Sequence, residues 1–379
     1  MTMRVGIVGC GDIAGHYLRT MANPTDVRAV ACAARSVASA RRFAAAHGIE
    51  PLDVDGLLAR DDIDIVLNLA HPDAHGPIGI AALEAGKHVF QEKPIATCME
   101  DARRLMWTAA RMDRRVGVAP DTLLGPPFRI AQRLVAEGVL GELVMGMAHA
   151  ISIGPESRHP APAFLYRAGA GPVLDMAPYA LSILVALAGP VERVAALGRI
   201  GRSDRRAKAS GAPLSVEVPT SVQALLRFAG GFQATLTMSW DGTGPEGPPI
   251  ALHGTRASLF LPDPNWFGGA VSIVPHGEAA ETIDTSPLPL GAPLRRLGSG
   301  AMVADYRGAG LADMARSIAA NRPHQCSGEN GLHLLEVTEA ILASAAGQGD
   351  WIGIDSPVLA IPILSEAEAL ALAGGARPG

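Results

Sequence analysis

Two short segments carry the residues best suited to acid–base chemistry. In the first, Glu92-Lys93-Pro94, an acidic and a basic side chain follow a predicted buried strand. Open α/β sheets bind their ligands at this carboxyl end of the strands. In the second, Asp175 and Tyr179 have an i, i+4 spacing that places them on one face of a helix. Lys93, Asp175 and Tyr179 are therefore the candidate catalytic residues.

A glycine-rich turn near the start of the chain predicts a dinucleotide site. Residues 4–9 form an apolar strand that leads into a G-x-G-x-x-A motif and a helical pattern. The first glycine allows the tight turn, the second lets the backbone approach the pyrophosphate, and the alanine permits close helix packing. The phosphates would bind at the helix N-terminus. The predicted cofactor-binding residues of this motif are Gly9, Gly11, Asp12, Ile13 and Ala14.

The residues after the second predicted strand bear on the choice of cofactor. NAD enzymes usually carry an acidic residue there, which binds the ribose 2′-hydroxyl. This chain has Arg35 and Ser36 instead, and no carboxylate. A guanidinium and a hydroxyl suit a 2′-phosphate, so NADP(H) is favoured and NAD(H) is possible. The alternative is that Arg35 is only a solvated residue at a helix start.

The elements that must position these residues follow an alternating pattern over the first 121 residues. Apolar segments predict strands at 4–9, 27–33, 63–69, 87–91 and 115–119. Helical spacing of apolar residues predicts helices at 13–21, 37–47, 74–85 and 99–112. This alternation is typical of βαβ units. We predict that residues 1–121 form a Rossmann domain with a doubly wound parallel sheet.

The pattern changes in the second predicted domain, residues 122–379. Pro126 and Pro127 interrupt the chain, and alternating segments then predict antiparallel strands. The sequence predicts helices at 129–137 and 179–187, hairpins at 221–228/232–240 and 250–253/257–261, and long loops at 241–249 and 285–300. We expect an α+β domain built on a large, mostly antiparallel open sheet. The whole chain is thus of the α/β class.

Composition narrows the possible partners. The chain has 379 residues, 48% of them hydrophobic, and a net charge of -5, so no basic field attracts nucleic acid. The four cysteines form no CxxC pair and the histidines show no metal-ligand spacing, so no metal is predicted. No apolar stretch is long enough for a membrane span, and no signal peptide is evident before the first strand. We expect a cytoplasmic protein.

Taken together, the glycine motif and the Glu-Lys-Pro segment resemble the glucose-fructose oxidoreductase / inositol dehydrogenase / MocA family. A second family signature, a glycine-rich turn followed by Asp-x-x-x-His or Asp-x-x-x-Tyr, matches residues 169–179 in its tyrosine form. The resemblance implies that Lys93 is a catalytic residue beside the nicotinamide, with Glu92 and Lys93 in the cofactor site. It also implies a homodimer or homotetramer joined through the open face of the C-terminal sheet.

Four further residues are candidates for ligand binding. His71 ends the fourth strand, where the family commonly contacts the nicotinamide half of the cofactor. Asp121 lies at the crossover between the domains, where many relatives have asparagine. His159 and Tyr166 precede the glycine-rich turn, on a loop expected to border the pocket. We predict Asp121, His159 and Tyr166 as substrate-binding residues.

The predicted function is an NADP(H)-dependent oxidoreductase that transfers hydride between the nicotinamide and a carbinol or carbonyl carbon of a sugar, sugar derivative or polyol. Tyr179 is expected to donate or accept the proton while Lys93 polarises the oxygen, and the reverse division stays open. A nearby nicotinamide cation would lower the pKa of Lys93. Two alternatives are a glycosidase that recycles its cofactor through oxidation and elimination, and a non-catalytic protein that senses dinucleotide.

Overall fold

The computed structural model describes residues 2–21, 26–157, 159, 161–244 and 246–374. Its N-terminal part contains strands and helices in strict alternation, in the order β1 Met3–Val8, α1 Asp12–Met21, β2 Val27–Ala33, α2 Val37–His47, β3 Glu50–Leu52, α3 Val54–Leu58, β4 Ile65–Asn68, α4 His75–Glu84, β5 His88–Gln91, α5 Met99–Arg111 and β6 Val116–Val118. The strands form one sheet in the order β3-β2-β1-β4-β5-β6, and all pairs are parallel. This confirms the predicted doubly wound sheet.

The central strands of this sheet are apolar because helices cover both of its faces. All four residues of β4 are buried, and Val5, Ile7 and Val8 of β1 are at most 2% exposed. Strand β3 was not predicted, because it has only three residues and contains Pro51. Proline cannot donate to a ladder, but it is tolerated in this edge strand, which pairs only with β2.

The C-terminal part contains the remaining elements: α6 Pro126–Ala136, β7 Leu143–Ile151, α7 Pro172–Ala188, β8 Val191–Arg199, β9 Ser221–Phe228, β10 Gln233–Ser239, β11 Ile250–Gly254, β12 Ala257–Leu261, β13 Val271–Pro275, β14 Glu281–Ile283, β15 Arg295–Arg296, β16 Met302–Val303, α8 Ala309–Ala319, α9 Gly328–Ala346, β17 Ile352–Gly353 and α10 Glu366–Leu372. Nine strands form a sheet in the order β14-β13-β12-β11-β7-β10-β9-β8-β17. Every pair is antiparallel except β7 with β10, which confirms the predicted mostly antiparallel sheet.

Helices α7 and α9 pack against one face of this sheet and leave the other face open. Residues alternate accordingly along β9, where Val222, Ala224 and Leu226 are buried and Leu225 is exposed. Helix α7 is buried along most of its length, as predicted for 179–187. It is the helix that carries the candidate residues Asp175 and Tyr179.

Two local predictions need correction. Pro126 and Pro127 do not interrupt the chain but occupy the first turn of α6, where the missing N–H groups have no helical partner to lose. The Gly-Gly link of the predicted 221–228/232–240 hairpin was expected to have a positive φ at both glycines, but only Gly231 has one, with φ of 87°. No helix within the described residues is long and apolar enough to cross a membrane.

Candidate active site

The structure brings the three predicted catalytic residues together between the two sheets. Lys93 Nζ donates a hydrogen bond to Asp175 Oδ1 at 2.8 Å and another to the Asp175 carbonyl oxygen at 2.6 Å. The same nitrogen lies 5.3 Å from the centre of the Tyr179 ring. The Lys93 side chain is 14% exposed, and Tyr179 is 9% exposed. Lys93 therefore links the end of β5 to helix α7 and retains a small opening to the cleft.

Opposing effects act on the charge of Lys93. Burial of the ammonium lowers its pKa, but the charges of Asp175, Tyr179 and Glu92 and the hydrogen bond to Asp175 outweigh this and raise the pKa above its ordinary value. The chain's own residues thus hold Lys93 protonated. A nicotinamide cation is expected to lower the pKa of Lys93, and this effect would have to act against the Asp175 carboxylate.

Glu92 is held from behind the cleft. Its carboxylate accepts a hydrogen bond from the Tyr17 hydroxyl at 2.8 Å, and its backbone N–H donates to the Asn68 carbonyl at 3.1 Å. Tyr17 belongs to α1 and is fully buried. Because Tyr17 occupies one carboxylate oxygen, Glu92 is fixed in position beside the turn that carries Lys93. Sequence reasoning did not identify Tyr17.

The glycine-rich turn has the shape that a dinucleotide requires. Gly9 has φ of 105°, and a Cβ there would lie 2.4 Å from the Leu69 carbonyl group. A Cβ at Gly11 would meet nothing within 4 Å, and Gly11 and Asp12 are exposed at the start of α1. Ala14 is fully buried against the sheet. The space beside Gly11 and the N-terminal end of α1, which includes Ile13, fit a pyrophosphate.

The two residues predicted to bind a 2′-phosphate lie at the same edge of the sheet. Arg35 and Ser36 are exposed after β2, and the Ser36 hydroxyl accepts a hydrogen bond from the Ser39 backbone N–H at 3.4 Å. Ser36 is therefore the N-cap of α2, and its O–H hydrogen can still be donated.

His71 and His159 meet at one aromatic side chain. The rings of His71 and Phe164 have centroids 5.5 Å apart, and those of His159 and Phe164 are 5.3 Å apart. His71 follows β4 of the first sheet, whereas Phe164 and His159 belong to the loop before α7. The structure therefore places these two predicted ligand-binding residues on the two sides of the same cleft. Phe164 was not among the residues predicted from the sequence.

The structure corrects the predicted role of Asp121. Its side chain is 1% exposed, and Oδ2 accepts hydrogen bonds from the backbone N–H groups of Gly308 at 2.8 Å and Gly310 at 3.1 Å. Burial raises the pKa of Asp121 to about 6, although these two donors and Arg307 act in the opposite direction. Asp121 therefore binds the N-terminal end of α8 rather than a substrate hydroxyl.

Tyr166 is also turned into the protein. It is fully buried, its hydroxyl donates to the Glu156 carboxylate, and it accepts a hydrogen bond from Arg205 Nη1 at 3.1 Å. Burial, followed by the hydrogen bond to Glu156, raises its pKa above the ordinary value. The predicted substrate contact is wrong for Tyr166, because its polar atom is fully used within this cluster.

A buried polar cluster under the catalytic turn was missed from the sequence. The His75 ring nitrogens lie 2.7 Å from the Pro94 carbonyl oxygen and 3.0 Å from that of Ala70. Asn68 Nδ2 donates to the His75 carbonyl at 3.2 Å. Burial lowers the pKa of His75, against the effect of the two carbonyl groups. This histidine therefore ties the segment after β4 to the segment that contains Lys93.

Two cysteines near the ends of β1 and β2 donate to backbone carbonyl oxygens. Cys10 Sγ lies 3.6 Å from the Ala33 oxygen, and Cys32 Sγ lies 3.6 Å from the Ala40 oxygen. These contacts, which no sequence motif indicates, tie both thiols to the segment that runs from β2 into α2. Among the described residues, no group of three or more His, Cys, Asp or Glu side chains could hold a metal ion.

Comparison with known proteins matches both the N-terminal and the C-terminal part of the chain to one family. Residues 3–119 match the oxidoreductase family with an NAD-binding Rossmann fold, GFO_IDH_MocA, and residues 128–260 match the GFO/IDH/MocA C-terminal domain. The chain belongs to the GFO/IDH/MocA family. It is thus an oxidoreductase with an NAD-binding Rossmann domain, as the sequence resemblance implied.

Several GFO/IDH/MocA relatives resemble the chain over most of its length. It is 30% identical over 316 residues to a dTDP-3,4-didehydro-2,6-dideoxy-alpha-D-glucose 3-reductase of Streptomyces violaceoruber, covering 79% of this chain and 87% of the relative. It is 26% identical to an inositol 2-dehydrogenase of Rhizobium meliloti (strain 1021), covering 68% and 75%. The crystal structure of an NAD binding oxidoreductase from Klebsiella pneumoniae has the same fold, with a TM-score of 0.81, 22% identity and coverage of 94% and 100%.

Proposed function

We propose that the protein is an NADP(H)-dependent oxidoreductase that interconverts a carbinol and a carbonyl carbon of a sugar or sugar derivative. The observation that carries this proposal is the contact of Lys93 with both Asp175 and Tyr179 at the edge of the Rossmann sheet. The named relatives reduce or oxidise a sugar or a cyclitol, which supports a substrate of this class.

The chain's own residues divide the chemistry in a simple way. The bound nicotinamide supplies or accepts the hydride. The Lys93 ammonium, held charged by Asp175, is suited to polarise the substrate oxygen. Tyr179 is suited to donate the proton during reduction and to accept it during oxidation, because its ring lies beside that ammonium. Glu92, fixed by Tyr17, is assigned to the cofactor site near the nicotinamide.

Arg35 and Ser36 support NADP(H) over NAD(H). Both are exposed at the end of β2, and the segment Ala33-Ala34-Arg35-Ser36 offers no carboxylate to bind a ribose 2′-hydroxyl. A guanidinium binds a phosphate with charge-assisted hydrogen bonds. His71, which lies one strand away from Lys93, is assigned to the nicotinamide half of the cofactor.

The test is an absorbance assay at 340 nm with purified protein, NADPH and a panel of keto-sugars, and in the reverse direction with NADP+ and sugars or cyclitols. We expect stoichiometric consumption or formation of NADPH. A parallel panel of aryl glycosides measures released aglycone. Aglycone release without net change in NADPH would favour the cofactor-recycling glycosidase, and cofactor binding without turnover of any substrate would favour a dinucleotide sensor.

We further propose that two copies associate through the open face of the nine-stranded sheet. Met145 and Met147 of β7, Leu197 of β8 and Leu225 of β9 are 44–65% exposed, and β10 lies between β7 and β9. The ladder pairs Thr235 with both Met147 and Leu225, which places these side chains on one face. Contiguous exposed apolar surface of this kind marks an interface. Light scattering should report a dimer or tetramer, and Leu225→Lys should shift it toward the monomer.

A further inference from the structure

A partly exposed phenylalanine lies at the mouth of the cleft between two imidazoles. Phe164 is 38% exposed, and the His71 side chain is 55% exposed. Both histidine rings meet Phe164 edge-on, with interplanar angles of 65° for His71 and 72° for His159. The exposed ring face of Phe164 and the ring nitrogens beside it form a surface on which an apolar face with polar edges can stack.

The loop that carries Phe164 is fixed by a buried cation. The Arg205 side chain is 0% exposed, and it binds the Glu156 and Asp241 carboxylates as well as the Tyr166 hydroxyl. Its guanidinium lies 5.1 Å from the centre of the Tyr166 ring. Because Tyr166 is only two residues from Phe164, this cluster anchors one end of the short helical turn Pro162–Tyr166. The position of Phe164 is therefore set before any ligand binds.

His71, Phe164 and His159 lie next to the elements that carry the catalytic residues. β4 and β5 are neighbours, and His75 joins the segment that precedes His71 to the segment that follows Lys93. On the other side of the cleft, the loop with Phe164 leads directly into α7, which carries Tyr179. His71 therefore follows the strand beside the one that leads to Lys93, and Phe164 precedes the helix that carries Tyr179, so a substrate that extends beyond the reacting carbon can reach both rings.

The two imidazoles place polar ring nitrogens beside the aromatic surface. His159 Nδ1 accepts a hydrogen bond from the Ala161 backbone N–H at 3.0 Å, so the proton is on Nε2 and can be donated. His71 Nδ1 lies 3.3 Å from Asp73 Oδ2, so Nε2 is the ring nitrogen that remains for a hydrogen bond outside this pair. An apolar surface with polar ring nitrogens at its rim matches a pyranose, which has an apolar C–H face and a rim of hydroxyls.

We propose that Phe164, with His71 and His159, forms the wall that stacks against the apolar face of a pyranose ring and so selects cyclic sugars over open-chain polyols, with His71 lying between this ring and the nicotinamide half of the cofactor. The inference rests on the proposed function, because it concerns the same site. It assigns to Phe164 a role in substrate specificity and none in the hydride or proton transfer.

The experiment measures the binding of methyl α-D-glucopyranoside, methyl α-D-galactopyranoside and methyl α-D-mannopyranoside to the NADP+-saturated protein by saturation-transfer NMR and titration. We expect the unmodified protein to bind at least one of them. Phe164→Ala should weaken that binding by about tenfold or more, and Phe164→Tyr, which keeps the ring, should stay within about threefold. D-Sorbitol, an open-chain polyol, should show no such difference between variants.

Trp107→Ala is the matched control, because Trp107 is a 60% exposed aromatic residue on α5 that stacks on Arg111. It should leave pyranoside binding unchanged.

Phe164→Ala with unchanged pyranoside binding would overturn the inference, and so would a protein that binds none of the three pyranosides. A large loss of NADPH affinity with normal pyranoside binding would also overturn it, by assigning Phe164 to the nicotinamide. Failure of the proposed function is a different result, namely no NADP-dependent turnover of any sugar or polyol in the 340 nm assay.

Discussion

Two regions at the carboxyl ends of the Rossmann strands are assigned to the cofactor, and they differ in what their residues contact. After β5, Lys93 is bound to Asp175 across the cleft, and Glu92 is bound to Tyr17. At the ends of β1 and β2, Gly11 faces open space and Arg35 is exposed. The first region is therefore organised by the protein itself, whereas the second is shaped for a partner outside the protein. Substitutions in the first should change the rate, and substitutions in the second should change the affinity for cofactor.

The largest effect is expected at the catalytic end. Lys93→Met and Tyr179→Phe should each lower kcat by roughly 10²–10⁴-fold, the usual scale for acid–base catalysis, with little change in NADPH affinity. The reason is that the Lys93 ammonium lies 5.3 Å from the centre of the Tyr179 ring between β5 and α7, and we assign both side chains to the reacting oxygen. Steady-state kinetics and calorimetric titration with NADPH measure the two quantities.

The pH dependence of the same variants separates the roles of these two residues. If Tyr179 transfers the proton, Tyr179→Phe should lose the alkaline limb of the pH–rate profile, whereas Lys93→Met should keep it. Near-normal turnover of Tyr179→Phe would assign proton transfer to Lys93. Losses in KM alone would assign binding roles to both.

The next effect is expected at the glycine-rich turn. Gly11→Val should abolish NADPH binding in a folded protein, because the added side chain would project into the space that we assign to the pyrophosphate. Gly9→Ala is the contrasting variant: its φ of 105° and the 2.4 Å approach to Leu69 predict a loss of stability instead. Thermal unfolding and NADPH titration distinguish the two, and normal NADPH affinity in Gly11→Val would exclude this turn as the pyrophosphate site.

Local sequence patterns could be interpreted correctly, whereas contacts between distant residues could not. The glycine motif, the Glu-Lys-Pro turn and the i, i+4 pair are local patterns, and each indicated its element and its side of the sheet correctly. The contacts made by Tyr166 and Asp121 are not local: Arg205 and Gly308 follow them by 39 and 187 residues. Whether a polar side chain faces a cleft or a buried partner depends on such distant residues, so both were mistaken for substrate ligands.

His75 and Phe164 were missed for a related reason. A histidine at a helix start and a phenylalanine in a loop are ordinary in sequence, and their importance arises only when β4, β5 and the loop before α7 come together. The three-residue strand β3 was missed because Pro51 and its short length give no period-2 pattern.

A smaller effect is expected at Arg35, where only the choice between cofactors should change. Arg35→Ala removes a charge-assisted contact worth about 1.5–3 kcal/mol, so the preference for NADPH over NADH should fall by roughly 10- to 150-fold. Affinity for NADH should stay nearly constant, since that cofactor lacks the 2′-phosphate. Calorimetry measures all four affinities. An unmodified protein that binds NADH as tightly as NADPH would contradict the assignment of NADP(H).

The smallest effect on activity is expected at Asp121, which contacts only protein. Asp121→Asn keeps an oxygen that can accept the Gly308 and Gly310 N–H groups but removes a buried charge. Because the pKa of Asp121 is raised from 3.8 to about 6 in the folded protein, its ionisation lowers the free energy of unfolding as pH rises through this range. That cost is on the order of 3 kcal/mol.

The Asp121→Asn variant should lack this part of the pH dependence and be equally or more stable at pH 7, with kcat and KM nearly unchanged. Urea unfolding at pH 4.5 and pH 7 tests the stability, and a large loss of kcat/KM in a stably folded variant would return Asp121 to the substrate site.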